Sequence, residues 1–205
     1  MKNQSNEQAI KNFLKEYPEI FTPREQYQIL KIIEGSNGEL YGAECIREIY
    51  DELGLIPDNK NIYVGFSDII EKEFGIENKN IVEVGGGHIP RLAKRLEKKQ
   101  INGKVTVYDP FLSKYEKSSS KLSLVRNKFD GNTKIPEETD LLIGLQPCAA
   151  AEKIIEVAFK YNIDFIIALC EGGPHGEWFD FYESDEEWLS WGFGRGKQIG
   201  PAVSG

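Results

Sequence analysis

Hydrophobic spacing changes character near residue 76, and that change divides the chain. Before it the period is helical. Ser5 with Gln8 makes a capping-box pattern, and Ile10, Phe13, Leu14 and Tyr17 then line one face. Thr22-Pro23-Arg24-Glu25 repeats the start signal with proline at the first helical position, and Tyr27, Leu30 and Ile33 carry that helix to a stop at Gly35. The pattern predicts a third helix from about Glu39 to Leu53, closed by Gly54, and a fourth from Ser67 to Phe74, closed by Gly75. Beyond residue 76, short apolar runs such as 81–84, 105–108 and 164–169 alternate with helical stretches. Leu92, Ala93 and Leu96 continue one face from Ile89, and Ile154, Ile155, Ala158 and Phe159 do the same within Glu152 to Tyr161. Such alternation predicts α/β architecture with a parallel sheet. The run 164–169 is apolar after its first residue, as in a strand covered on both faces. The expected organisation is a helical N-terminal extension over 1–75 and an α/β domain over 76–205.

The first of these runs leads into the most informative stretch, Ile81-Val82-Glu83-Val84-Gly85-Gly86-Gly87-His88-Ile89-Pro90. It reads as a buried strand, a glycine turn and a helix that starts at Pro90, where a missing N–H would have no partner. The amides and positive dipole end of that helix would face whatever the glycines admit, which favours a polar or anionic group. The second strand ends in Asp109, about 20 residues beyond the glycines, where cofactor-binding βαβ units carry the carboxylate that accepts ribose hydroxyls.

A dinucleotide fingerprint would place a third glycine where this chain has Pro90, which counts against an NAD-type oxidoreductase. Glu83-Val84-Gly85-Gly86-Gly87 instead resembles the first motif of class I S-adenosylmethionine (SAM) methyltransferases. The resemblance spans residues 78–176 and is closest to short methyltransferase-like members with a proline in the loop after strand four. It implies a doubly wound, mainly parallel Rossmann-like sheet and SAM as cofactor. Glu83 would orient the methionine end, Gly85, Gly86 and Gly87 would let the chain pass beside it, and Asp109 would bind the ribose. After a third strand near Leu122 to Val125, Asp130 falls where the family contacts the adenine amino group. Asp140 to Cys148 would form the fourth strand and the active-site loop after it, with Gln146 in that loop. Ile89 stands where the family often has a further glycine. A full sheet of this family ends in an antiparallel hairpin for which the C-terminal residues leave little room, so a truncated sheet is expected.

With 205 residues, 40% hydrophobic and 28% charged, the composition is that of a globular chain with room for one domain and an extension. The net charge of −8 disfavours a broad grip on phosphate backbones, so a small-molecule substrate is favoured over nucleic acid. The basic residues Arg91, Lys94, Arg95, Lys98, Lys99 and Lys104 read as a solvated face opposite Leu92 and Leu96. Three cysteines without knuckle spacing fit reduced thiols, and neither a membrane span nor an apolar signal core is evident, so a cytoplasmic location is expected. The helical extension could cover the substrate side or support a homodimer. Trp178, Trp188 and Trp191 lie among acids, which suits a lid or an oligomer contact, and Arg195 among glycines reads as a flexible tail.

Methyl transfer from a sulfonium needs an aligned nucleophile and, for weakly acidic acceptors, a base. Pro147-Cys148 resembles the nucleophile motif of cytosine C5 methyltransferases, with Cys170 where RNA members carry a second cysteine, but the rest of that signature is missing. Against it stands the commoner case of a buried cysteine acting as a small hydrophobe. Gln146-Pro147-Cys148 keeps only part of the adenine N-methyltransferase loop. His175, in the loop after strand five, is the candidate general base. His88 is expected to pack against or hydrogen-bond the cofactor, and the two histidines, both at the carboxyl edge of the sheet, could face each other. Two histidines and acids without tight spacing predict no metal site. The favoured reading is a SAM-dependent methyltransferase, and its rival is a non-catalytic binding or scaffold protein on a degenerate form of the same fold.

Overall fold

A computed structural model describes residues 2–35, 40–56, 58, 61–168 and 194–195. Four helices come first: α1 (Lys2–Glu16), α2 (Pro23–Ile33), α3 (Leu40–Glu52) and α4 (Ile62–Phe74). The α/β region follows as β1 (Ile81–Val84), α5 (Arg91–Lys99), β2 (Val105–Tyr108), β3 (Leu122–Val125), β4 (Leu141–Leu145), α6 (Ala151–Tyr161), β5 (Asp164–Ala168) and β6 (Gly194–Arg195). The sheet order is β3-β2-β1-β4-β5-β6, with the first five strands parallel. This is a Rossmann-like α/β fold. Gly194 and Arg195 pair antiparallel with Phe165 and Asp164, so Arg195 lies in a strand and not in a loose tail. No helix among the described residues is long and apolar enough to cross a membrane.

Alternation along the strands sends side chains to two apolar layers. Ile81, Val105, Val107, Leu122, Leu141 and Ile143 meet α4 and α5 through Phe66, Ile70, Leu92 and Leu96. Val82, Val84, Leu142, Phe165 and Ile167 meet α6 through Ile154, Val157 and Ala158. The sheet is therefore covered on both faces, as its apolar strands require. The buried face of α6 is Ile154, Val157 and Ala158; Ile155 and Phe159, expected inside, are exposed.

The helical cap has a separate core of Ile10, Phe13, Phe21, Ile29, Cys45, Ile46 and Ile49. At the start of α2, Thr22 caps as expected: the Glu25 amide donates to Thr22 Oγ1, and the Thr22 amide donates to the Glu25 carboxylate at 2.6 Å. Ser5 starts no helix, because α1 begins at Lys2, and Ile29 rather than exposed Tyr27 is the fully buried residue of α2. Helix α4 begins five residues before the expected Ser67, where Asn61 accepts the Tyr63 amide at 3.0 Å. Because Phe66 and Ile70 pack against the sheet, α4 belongs to the α/β layer and a boundary at residue 75 separates it from its own core. Ile89 moves the other way. It leaves the glycine turn to enter the cap core at 1% exposure, a burial of about 1.5 to 3 kcal/mol that ties the turn to the cap.

The basic face of α5 is not simply solvated. Arg91 pairs with Asp51 and Glu52, Arg95 with Asp51 at 2.7 Å, Lys94 with Glu116 at 2.8 Å, and Lys99 with Asp68 and Glu71. Asp51 also accepts the Asn61 amide group. Burial pushes its carboxyl up, but Arg91, Asn61 and Arg95 outweigh burial and leave it below its ordinary value. The basic run thus docks α3 onto the α/β region and ties α4 to α5 within it.

Candidate functional site

Strand order reverses between β1 and β4, and the crevice at the carboxyl ends of those strands is where open α/β sheets bind ligands. The glycine turn lies there. Gly85 and Gly87 have φ of +83° and +73°, which side-chain-bearing residues rarely adopt. A Cβ on Gly86 would lie 2.5 Å from Val107 Cγ1, and one on Gly87 would lie 2.1 Å from Glu48 Oε1. The glycines therefore make room first for the protein itself, and above all for Glu48 reaching in from α3.

That contact corrects the expectation of free amides facing an anion. The Glu48 carboxyl accepts the backbone N–H groups of His88 and Ile89. Asp109 accepts Gly87 N–H at 2.9 Å and Phe111 N–H at 2.7 Å. Glu83 accepts Ala93 N–H. Helix α5 starts at Arg91, with Pro90 as its cap, so proline takes the position before the one expected. Carboxyl groups of the chain fill the nest that a dinucleotide would need for its pyrophosphate.

Around this turn lies a cavity of about 560 Å³. The sheet side supplies Glu83, Gly85, Gly86, Gly87, His88, Asp109, Phe111 and Gln146, and the helices supply Arg24, Glu25, Cys45, Arg47, Glu48 and Tyr63. Its roof is the cap, consistent with a cover over the sheet's ligand edge. Burial pushes the Glu83 carboxyl up to about 8, although the Ala93 amide opposes the shift, and burial also holds the Glu48 carboxyl well above the carboxylate range. Glu83 Oε2 and Glu48 Oε2 are buried with no hydrogen-bond partner among the described residues. Burial likewise raises Asp109 and lowers His88, the latter against the pull of Glu25 and Asp109.

Seven of the residues singled out from the sequence thus share one cavity: Glu83, Gly85, Gly86, Gly87, His88, Asp109 and Gln146. Gln146 sits at φ +53° and its Oε1 accepts the Arg47 guanidinium at 3.1 Å, which joins the loop after β4 to the cap. Asp130 does not join them. It is exposed outside the cavity, and its carboxylate caps a local turn by accepting Asn132 N–H at 2.9 Å and the Thr133 hydroxyl at 3.3 Å. Cys148 opens a short 3-10 turn, Cys148–Ala150, but its side chain lies outside the described residues. His175, Cys170 and the three tryptophans also lie outside them, so the facing of His88 and His175 is not on view.

Sequence reasoning missed Glu25, Cys45, Arg47 and Glu48. Along the chain Glu25 reads as part of a helix start and α3 as a cap helix. His88 Nε2 lies 3.4 Å from Glu25 Oε2 and His88 Nδ1 lies 3.8 Å from Glu48 Oε2. Glu25, Cys45 and His88 bring their donor atoms within 4.8 Å of one another, a grouping that linear spacing cannot reveal. Polar residues three apart on α3, Cys45 and Glu48, were the one available sign that this helix has a chemical face. Comparison with protein-family models and with curated proteins gave no match.

Proposed function

We propose that the chain is a SAM-dependent methyltransferase acting on a small-molecule acceptor. The observation that carries this reading is the acid-walled cavity at the strand switch point. Glu25, Glu48, Glu83 and Asp109 outnumber Arg24 and Arg47 on its walls, and the glycine-turn amides are already held by carboxyl groups. Burial favours the protonated forms of Glu48 and Glu83, and a cation placed against them would draw them back to their charged forms. A ligand with positive charge and hydroxyls suits that wall, whereas a pyrophosphate would meet carboxyl oxygens. An ammonium group beside the orphaned Glu83 Oε2 would favour the ionised carboxylate and find an acceptor in it, and Phe111, exposed at the mouth, offers a ring face for a base. SAM would bring a methyl group activated on a sulfonium; the chain would hold the cofactor, shield it with the cap and align the acceptor.

The second reading is a binding protein on the same fold without turnover. It is favoured by Asp109, whose two oxygens already accept backbone amides, and by Asp130, which is outside the cavity lining and is engaged in its own local turn. Calorimetric titration with SAM, S-adenosylhomocysteine and NAD tests the shared cofactor site. Micromolar binding of the first two without NAD supports it, and no binding of either removes it. On the enzymatic reading, His175→Ala lowers turnover while S-adenosylhomocysteine affinity stays unchanged; equal turnover removes His175 as the base.

A further inference from the structure

We propose that Glu25, Cys45 and His88 form a binding site for a divalent transition metal, with zinc the best match. The three donors come from α2, α3 and the glycine turn, and their ligating atoms lie within 4.8 Å of one another. Zinc bonds of about 2.0 to 2.3 Å would draw them somewhat closer, to about 3.5 Å. The donor set is one thiol sulfur, one imidazole nitrogen and one carboxylate oxygen. Such a mixture selects zinc, cobalt or copper over magnesium and calcium, which prefer oxygen.

Glu48 supplies an independent reason. Its Oε2 is buried, has no hydrogen-bond partner among the described residues, and lies 3.8 Å from His88 Nδ1. The other ring nitrogen, Nε2, faces Glu25 at 3.4 Å. A carboxylate behind one imidazole nitrogen, with a second ligand beside the other, is the support that metal-bound histidines commonly have. Glu48 is itself held by the His88 and Ile89 amides, so it is a positioning residue whose place is set by the backbone.

All three ligands line the cavity. A tetrahedral ion held by three side chains keeps a fourth position, which here opens to the ligand space, as in catalytic rather than closed structural zinc sites. That position takes water or an oxygen, nitrogen or sulfur atom of a bound small molecule. The ion would also bridge the cap to the glycine turn. None of this depends on which organic cofactor the cavity holds.

Cobalt(II) titration of the full chain carrying Cys148→Ser and Cys170→Ser, which leaves Cys45 as the single thiol, tests the proposal. The expected result is saturable binding with an intense near-ultraviolet thiolate-to-cobalt band and the visible bands of tetrahedral cobalt, all removed by zinc. Cys45→Ser should abolish the thiolate band, and His88→Gln should weaken binding at least a hundredfold. Glu48→Gln should keep the band but weaken binding by about 10- to 100-fold, the usual scale for a residue behind a metal ligand. The unsubstituted chain gives a check that needs no variant: zinc should protect Cys45 from alkylation, read by peptide mass spectrometry. Absence of a thiolate band, a band that survives Cys45→Ser in a folded chain, or unchanged alkylation of Cys45 in saturating zinc would each overturn the site. Because no organic cofactor enters these measurements, their failure is separable from failure of the SAM reading.

Discussion

Replacing Gly87 by alanine places a methyl carbon 2.1 Å from Glu48 Oε1 at a residue whose φ is +73°. Two costs follow. The left-handed backbone costs an alanine about 1 to 2 kcal/mol, less about 0.4 to 1 kcal/mol regained because alanine restricts the unfolded chain. Moving Glu48 aside breaks its bonds to the His88 and Ile89 amides, at about 0.5 to 1.5 kcal/mol each. Together the substitution should destabilise the fold by about 2 to 4 kcal/mol. A urea denaturation cycle separates the two parts. In a Glu48→Ala background the collision is gone, so Gly87→Ala should cost only the backbone component of about 1 kcal/mol. Equal costs in the two backgrounds would refute the claim that Gly87 exists to admit Glu48. The same contact means that a valine at Gly87 cannot be a clean probe of ligand binding, because it would disturb the turn itself.

Three further outcomes are expected. Glu83 has its folded-state carboxyl raised from 4.5 to about 8, so the native state holds a proton that the unfolded chain releases. Its contribution is complete below about 4.5 and is lost as pH rises through about 8, with a slope of up to about 1.4 kcal/mol per pH unit. Chemical denaturation of Glu83→Gln should show that share of the slope removed; an unchanged pH profile would contradict the assignment. Asp51→Asn should destabilise by about 2 to 4 kcal/mol, because Arg91 and Arg95 lose a shared buried partner, and a loss below 1 kcal/mol in urea melts would show that the pairs do not hold the cap. Phe111→Ala should weaken S-adenosylhomocysteine binding by about 1 to 3 kcal/mol, the scale of a base stacked on an aromatic ring, with stability changed by no more than about 0.5 kcal/mol. Undiminished affinity would remove Phe111 from the site.

The α/β architecture was legible because its strands are short, apolar and punctuated by glycine. Val82 and Ile143 could hardly lie anywhere but in a covered sheet. Helix starts were legible where a cap residue announced them, as at Thr22, and were misplaced where the cap was Asn61 in a polar stretch. Tertiary pairing was not legible. Arg91 and Arg95 look like solvent charges until α3 brings Asp51 against them, and Glu48 looks like a helix-surface acid until the fold inserts it into the glycine turn. The floor of the site, Glu83 to His88 with Asp109, lies on consecutive βαβ elements and shows in local order. The roof comes from residues about 40 to 60 positions earlier and depends on how the cap docks, which periodicity does not encode.

On the proposed reading, the space between α3 and the glycine turn holds the cofactor. A crystal structure of the full chain grown with S-adenosylhomocysteine tests it most directly. The expected result is ligand density bounded by Arg47, Gly85 to His88, Phe111 and Gln146, with the amino group near Glu83. Saturating ligand bound elsewhere, or none bound while the cavity stays as it is, would contradict it.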